Sequence, residues 1–239
     1  QGGDGRDHAA MKNLCVIQHT ESEYLGFMED HMEGRNVRFQ YRRPFAAGGS
    51  IPSVTGSFDG LVLLGAGPYG VVSGHILPSL GPELRLTKAF LDAGLPVLGF
   101  GLGAVILSVA AGGGAAEAAL RFEVSRINPV ADSAFGAKLP GSFPMASYLR
   151  DRPVPPKSAE ISALGPSGEI MAFTVNGNSL GMVGHPGYKR GMAEDLIMEF
   201  AETPDDTVSA LVELGDRQAE IAEALSALMV SIVDHCGWM

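Results

Sequence analysis

At 239 residues the chain is long enough for one large domain, or a domain with a helical appendage, built around a substantial core. Hydrophobic residues at 46% and charged residues at 18% exclude a disordered chain, and a formal charge of −10 with no offsetting basic stretch argues against a nucleic-acid backbone binder. Two cysteines, Cys15 in an apolar run and Cys236 near the C-terminal end, suit a reducing cytoplasm better than a disulfide-stapled fold.

Residues 1–10 are polar and glycine-rich and read as a tag or linker remnant ahead of Met11, with no basic–apolar–cleavage signal before the domain. Leu14 to Gln18 is an apolar run suited to a buried strand, and Glu21 to Glu33 has amphipathic helical spacing up to Gly34. Val37 to Tyr41 alternates as a strand, and Gly60 to Leu64 is a fully apolar one. Leu77 to Ala93 is a predicted helix that stops at Gly94, followed by a strand at Pro96 to Leu98 and a helix at Leu102 to Ala111. The uncharged stretch from Ala93 to Ala116 is too rich in glycine for a lipid-spanning helix and fits a buried strand, a tight turn and a packed helix. Strands alternating with helices imply a mostly parallel sheet covered on both faces.

From Leu120 to Met182 short β-like runs separated by proline and glycine suit an antiparallel or mixed extension of that sheet. Tyr188 to Glu202 is predicted helical. Pro204 opens a last amphipathic helix from Asp206 to about Asp234, with Leu211, Leu214, Ile221, Leu225, Leu228 and Ile232 on its apolar face. The division is therefore a domain over 11–203 and a C-terminal helical appendage over 204–239 packed on it.

Two glycine clusters each follow an apolar strand. Gly65-Ala66-Gly67-Pro68-Tyr69-Gly70 matches the G-x-G-x-x-G dinucleotide fingerprint, but the next strand ends in Gly99-Phe100 where a ribose-binding acid belongs. A tight turn with close backbone approach is the better reading, and no cofactor or metal is expected. The second cluster, Leu98-Gly99-Phe100-Gly101-Leu102-Gly103, runs strand, sharp turn, helix start, which is the layout of a nucleophile elbow. Small neighbours let such a turn expose one side chain above the sheet, and the N–H groups beside it can stabilise an oxyanion.

With these segments the chain resembles the class I glutamine amidotransferases, especially the amidotransferase domain of GMP synthetase. Val16-Ile17-Gln18-His19 with Glu23 and Gly26 resembles the opening strand and loop, and Gly65 to Pro68 the oxyanion strand. Gly99-x-Gly101-x-Gly103 falls on the G-x-C-x-G elbow, Phe122 to Val130 on the strand ending Pro-Val, and Gly181 to Gly187 on the segment ending His-Pro-Glu. The likeness covers roughly Leu14 to Phe200 and implies a flavodoxin-like, three-layer α/β fold with a small antiparallel extension and a C-terminal helix.

The departures are as informative. The elbow position of the catalytic cysteine is Gly101, and the acid that would orient the histidine base is Gly187. Only His185 remains of the Cys–His–Glu triad, so the resemblance implies no acyl-enzyme chemistry on glutamine. Tyr148 falls where a substrate-binding histidine often stands. The expected site is a pocket at the C-terminal ends of the parallel strands, lined by Gly65, Ala66, Gly67, Tyr69, Phe100, Gly101, Leu102 and Tyr148, with His185 as the acid/base candidate. Two function classes follow: a binding or regulatory subunit that takes a small molecule and docks on a synthase-type protein, or an enzyme with non-covalent acid/base chemistry through His185. Neither nucleic acid nor membrane is an expected partner. His19 and His75 read as surface or satisfied histidines, and Glu21, Glu23, Glu29 and Asp30 as a solvated helical face.

Overall fold

A computed structural model describes residues 11–239; the expected tag at residues 1–10 lies outside the described residues. The first strand, β1 (Lys12–Ile17), has its last four residues fully buried, as a parallel strand covered on both faces requires. The chain then departs from expectation. Residues 21–27 form a loop, and only α1 (Met28–Glu33) is helical. Gly26 takes a left-handed φ of +62°, which interrupts a right-handed helix, and Glu23 is buried at 2% exposure rather than solvated. The alternation of β2 (Val37–Arg42) and the apolar run of β3 (Gly60–Leu63) appear where the sequence predicts them.

The helix α2 (Leu80–Asp92) starts three residues later than its apolar pattern suggests. It closes with Gly94 at φ +70°, the Gly94 N–H bonding the Leu91 carbonyl and the Leu95 N–H that of Phe90, a Schellman ending. The strand β4 (Val97–Phe100) passes through one left-handed residue, Gly101, into α3 (Leu102–Ala110). The membrane-like segment is thus β4, α3 and a short strand β5 (Gly114–Ala116). None of the described helices is long and apolar enough to cross a membrane.

The middle of the chain supplies β6 (Arg121–Pro129), β7 (Phe143–Leu149), β8 (Arg152–Val154), β9 (Glu160–Leu164), β10 (Ile170–Val175) and β11 (Ser179–Met182). One nine-stranded sheet runs in the order β2-β1-β3-β4-β11-β10-β9-β6-β7, and β5 pairs with β8 in a small second sheet. The half from β2 to β11 is parallel and the half from β10 to β7 is antiparallel, as the change of sequence character predicts. Helices α2 and α3 pack together on the parallel half. The predicted helix over 188–202 is shorter, α4 (Arg190–Glu199), because Tyr188 turns inward to 1% exposure and Lys189 is extended. The last helix, α5 (Thr207–His235), packs against α1, β6 and β7. A second apolar cluster, with Phe122, Tyr148, Tyr188, Met192, Leu196 and Leu214 among its members, ties α4 and the first half of α5 to the β6–β7 pair.

Candidate functional site

Four adjacent parallel strands deliver the singled-out residues to one edge of the sheet. His19 and Glu23 follow β1, Gly65 to Tyr69 follow β3, Gly101 follows β4, and His185 to Gly187 follow β11. At Gly101 the backbone has φ +56° and ψ −124°, a conformation that L side chains rarely adopt. Its N–H donates to the Met182 carbonyl at 3.0 Å, fixing the turn to the neighbouring strand. A Cβ added at Gly101 meets nothing closer than the Gly65 Cα at 3.5 Å, so the turn has room for a side chain.

The flanking glycines do different work. A Cβ on Gly99 would press on the Gly103 carbonyl carbon at 2.6 Å and the Ala104 nitrogen at 2.9 Å. One on Gly103 would press on the Leu63 carbonyl carbon at 2.6 Å. These two glycines let α3 lie directly against β3 and β4, and so hold the elbow up. Phe100 and Leu102, either side of Gly101, are buried at 0% and 1% exposure and point into packing rather than toward an open pocket.

His185 is buried and stacked on Phe100, ring centroids 5.4 Å apart, with Tyr188 edge-on at the same separation. The Gly187 N–H donates to Nδ1 at 3.0 Å, which leaves the proton on Nε2, and Nε2–H donates to the Tyr24 carbonyl at 2.7 Å. Burial lowers its pKa to about 4, so the ring is neutral near pH 7. Both nitrogens are thereby engaged by backbone. A Cβ at Gly187 would meet the Leu25 carbonyl oxygen at 2.7 Å, Met28 Cγ at 2.8 Å and the Met28 nitrogen at 3.0 Å. The 24–28 segment therefore occupies the space an acidic side chain at position 187 would need.

Glu23 was not among the expected site residues, yet it is the ionisable group closest to the glycine turn. Its Oε1 accepts the Gly67 N–H at 2.5 Å, and its carboxyl lies where a Cβ on Gly65 would fall. Burial pushes its pKa up to about 7, against the opposing effects of the Gly67 N–H and of His19. His19 sits beside it with Nε2 2.5 Å from Glu83 Oε1 and Nδ1 3.1 Å from the Gly65 carbonyl oxygen. Burial works against a charged His19, but the Glu83 carboxylate outweighs it and raises the pKa. His19 is thus a satisfied core histidine. No sequence signal separates Glu23 from its neighbours Glu21 and Glu29, since its partner is an amide 44 residues away.

The turn is also covered. Phe200 and Leu196 stand 3.0 and 3.3 Å from where a Gly67 Cβ would be, and Phe200 packs edge-on to Tyr69 at 5.8 Å. Glu199 accepts the Ser22 hydroxyl at 2.6 Å, joining α4 to the Glu23 loop. Behind Ala66 and Tyr69, Arg150 Nε donates to the Pro68 carbonyl at 2.8 Å. Asp151, itself at φ +66°, accepts the N–H groups of Val71, Val72 and Ser73 together with the Ser73 hydroxyl. Tyr148 borders Gly101 through its backbone carbonyl, and its hydroxyl is buried with no partner among the described residues, as is that of Tyr188. A cavity of about 80 Å³ opens beside His19, Phe45, Tyr69 and Ser79; Gly101, Tyr148 and His185 do not line it. A larger groove of about 480 Å³ lies elsewhere, between β6 and the start of α5, and holds none of the groups above.

No family model matches the sequence, and no curated protein matches it either. Solved structures do. A glutamine amidotransferase from Thermotoga maritima superposes with a TM-score of 0.79 at 20% identity, over 95% of this chain and 99% of that one. One from Methylobacillus flagellatus gives 0.79 at 18% identity, over 95% and 96% of the two chains. A candidate GMP synthase subunit from Thermoplasma acidophilum gives 0.60 at 16% identity, over 89% and 100%. The chain has the fold of the glutamine amidotransferases, flavodoxin-like with a mixed sheet and a C-terminal helix.

Proposed function

We propose that this chain is a binding or regulatory subunit of the glutamine amidotransferase type that does not hydrolyse glutamine by a thiol route. The observation that carries the reading is Gly101 at the elbow. The turn keeps the conformation that presents a nucleophile, while the residue there has no side chain to attack with. The surroundings agree with that reading. His185 has both ring nitrogens committed to backbone groups, which suits a residue that positions the Tyr24 and Gly187 segments better than a proton carrier. The packing of Leu25 and Met28 against Gly187 leaves no room for an acid that would orient the ring. Likeness to a candidate GMP synthase subunit supports a synthase-type protein as the docking partner.

The test is ammonia release from glutamine by the purified chain and by Gly101→Cys. Neither is expected to turn over above background, because the histidine that would have to take the proton of a cysteine at 101 has both ring nitrogens engaged by backbone. Turnover that scales with wild-type protein through further purification would overturn the proposal. Gly187→Glu is not a useful companion change, since its first side-chain carbon already collides with the Leu25 carbonyl.

A further inference from the structure

The Gly65–Gly67 turn is the part of this site where N–H groups would meet a ligand oxygen, and a carboxyl group already lies on it. Glu23 Oε1 accepts the Gly67 N–H at 2.5 Å, and the same carboxyl packs against Gly65, where only the absence of a Cβ allows it. The loop that carries Glu23 is held by two further contacts: the Glu23 N–H donates to Thr20 Oγ1 at 3.2 Å, and the Ser22 hydroxyl donates to Glu199 at 2.6 Å. Phe200 lies over Gly67 on the facing turn. Two more hydrogen-bonding groups belong to the same neighbourhood. The hydroxyls of Tyr148 and Tyr188 are buried without partners among the described residues, and besides burial both feel the negative charge of Glu23. Buried donors without acceptors are costly unless something supplies the acceptor.

We infer that the Gly65–Gly67 turn is a carboxylate seat occupied from within by Glu23, and that a small carboxylate-bearing ligand binds there by taking the place of Glu23. The inference rests on the reading of this site as a binding site rather than a thiol-catalytic one. The seat holds one carboxylate oxygen on the Gly67 N–H, and the flat group fits against Gly65 only because that residue has no Cβ. His19, Glu83, Glu199, Tyr148 and Tyr188 are the ionisable groups around it. His19 offsets the carboxylate charge and Glu199 opposes it.

The experiment is chemical rescue in the full-length chain. Glu23→Ala empties the seat, and its thermal midpoint is followed against sodium formate, acetate, trimethylacetate and acetamide, with sodium chloride at equal ionic strength as reference. Formate and acetate are expected to raise the midpoint saturably by a few degrees, as mass action requires for a ligand that binds only the folded state. Trimethylacetate is too bulky and acetamide uncharged, so both should follow chloride. Wild type and Glu23→Gln, whose seats are filled, should respond to formate and acetate only at higher concentration, because the ligand must first displace the side chain at position 23. An equal response of Glu23→Ala to all five solutes, or a wild type that follows chloride at every concentration of formate and acetate, overturns the inference. If Glu23→Ala does not fold, the Gly67 amide resonance of wild type decides. Acetate should move it saturably where chloride at equal ionic strength does not, as displacement of the Glu23 carboxyl requires, and a resonance that acetate leaves fixed overturns the inference. Failed rescue leaves the lack of glutaminase activity untouched, and glutamine turnover by wild type leaves the seat untouched, so the two readings fail separately.

Discussion

Glu23 shows how one buried side chain can record both the fold and the site. Its carboxyl has an ordinary pKa of 4.5 in an unfolded chain and about 7 in the folded one, with burial as the main cause. The folded state therefore holds a proton that the unfolded state has lost between those values. The stability from this group is full below about pH 4.5 and falls as pH rises through 7. The ionised form carries a penalty on the order of 3 kcal/mol. Glu23→Gln keeps an oxygen for the Gly67 N–H and has nothing to ionise. The variant should be no more stable than wild type at pH 4.5 and should gain on it steadily up to pH 8, by at most that amount. Urea unfolding at both pH values measures the difference, and subtracting the two profiles cancels groups common to both proteins. A difference that does not change with pH would mean that Glu23 is solvated when folded. The helix expected from Glu21 is absent because Gly26 is left-handed at φ +62°, and the loop so formed turns the Glu23 carboxyl onto the Gly67 amide instead of into solvent.

At the scale of elements, the glycine-rich turns were legible because backbone geometry alone demands their residues. Gly99 and Gly103 are required by the approach of α3 to the sheet, Gly101 by a positive φ, and Gly94 by the end of α2. The apolar runs of β1, β3 and β4 marked out the parallel half of the sheet to within two residues at either end. What fills the site was not legible, because Phe200, Glu199, Arg150 and Asp151 reach it from segments whose local pattern carries no trace of that contact. Asp151 is the clearest case. Burial alone would raise its pKa, yet the Ser73 hydroxyl and the N–H groups of Val72, Val71 and Ala118 hold it below the usual carboxylate value. Hydrogen bonds to a charged group contribute roughly 1.5–3 kcal/mol each. Asp151→Ala should then release the loop after the glycine turn while leaving the central sheet in place. Amide exchange at Val71, Val72 and Ser73 is expected to speed up roughly tenfold or more, with β1 and β3 unchanged. Unchanged protection at those three amides would show that the loop is held by Arg150 and Tyr69 instead.

For the molecule as a whole, the last helix decides whether residues 204–239 are an appendage or a structural necessity. It spans 29 residues and closes with Gly237 at φ +71°, the Gly237 N–H bonding Asp234 and the Trp238 N–H bonding Val233. That ending turns Trp238 back to the start of β3, where Gly60 leaves it room and where it is 3% exposed. Leu225, Leu228 and Ile232 join the main core, whereas Leu214 and Ile221 join the second cluster with Tyr148 and Tyr188. One helix therefore covers the sheet and braces the packing over the site. Its surface ion pairs, Arg126 with Glu220 at 2.7 Å and Lys138 with Asp234 at 2.5 Å, add little beside this. Each fully buried large apolar side chain contributes roughly 1.5–3 kcal/mol. The six named here amount to about the whole stability of a typical domain, roughly 5–15 kcal/mol. A chain ending at Pro204 should consequently lose cooperative unfolding and expose apolar surface, read as a flat thermal melt with strong binding of a hydrophobic dye. Under the same conditions the full chain should melt in one sharp transition. A truncated chain that melts cooperatively near the full-length midpoint would make the helix a dispensable attachment and free its apolar face for a partner.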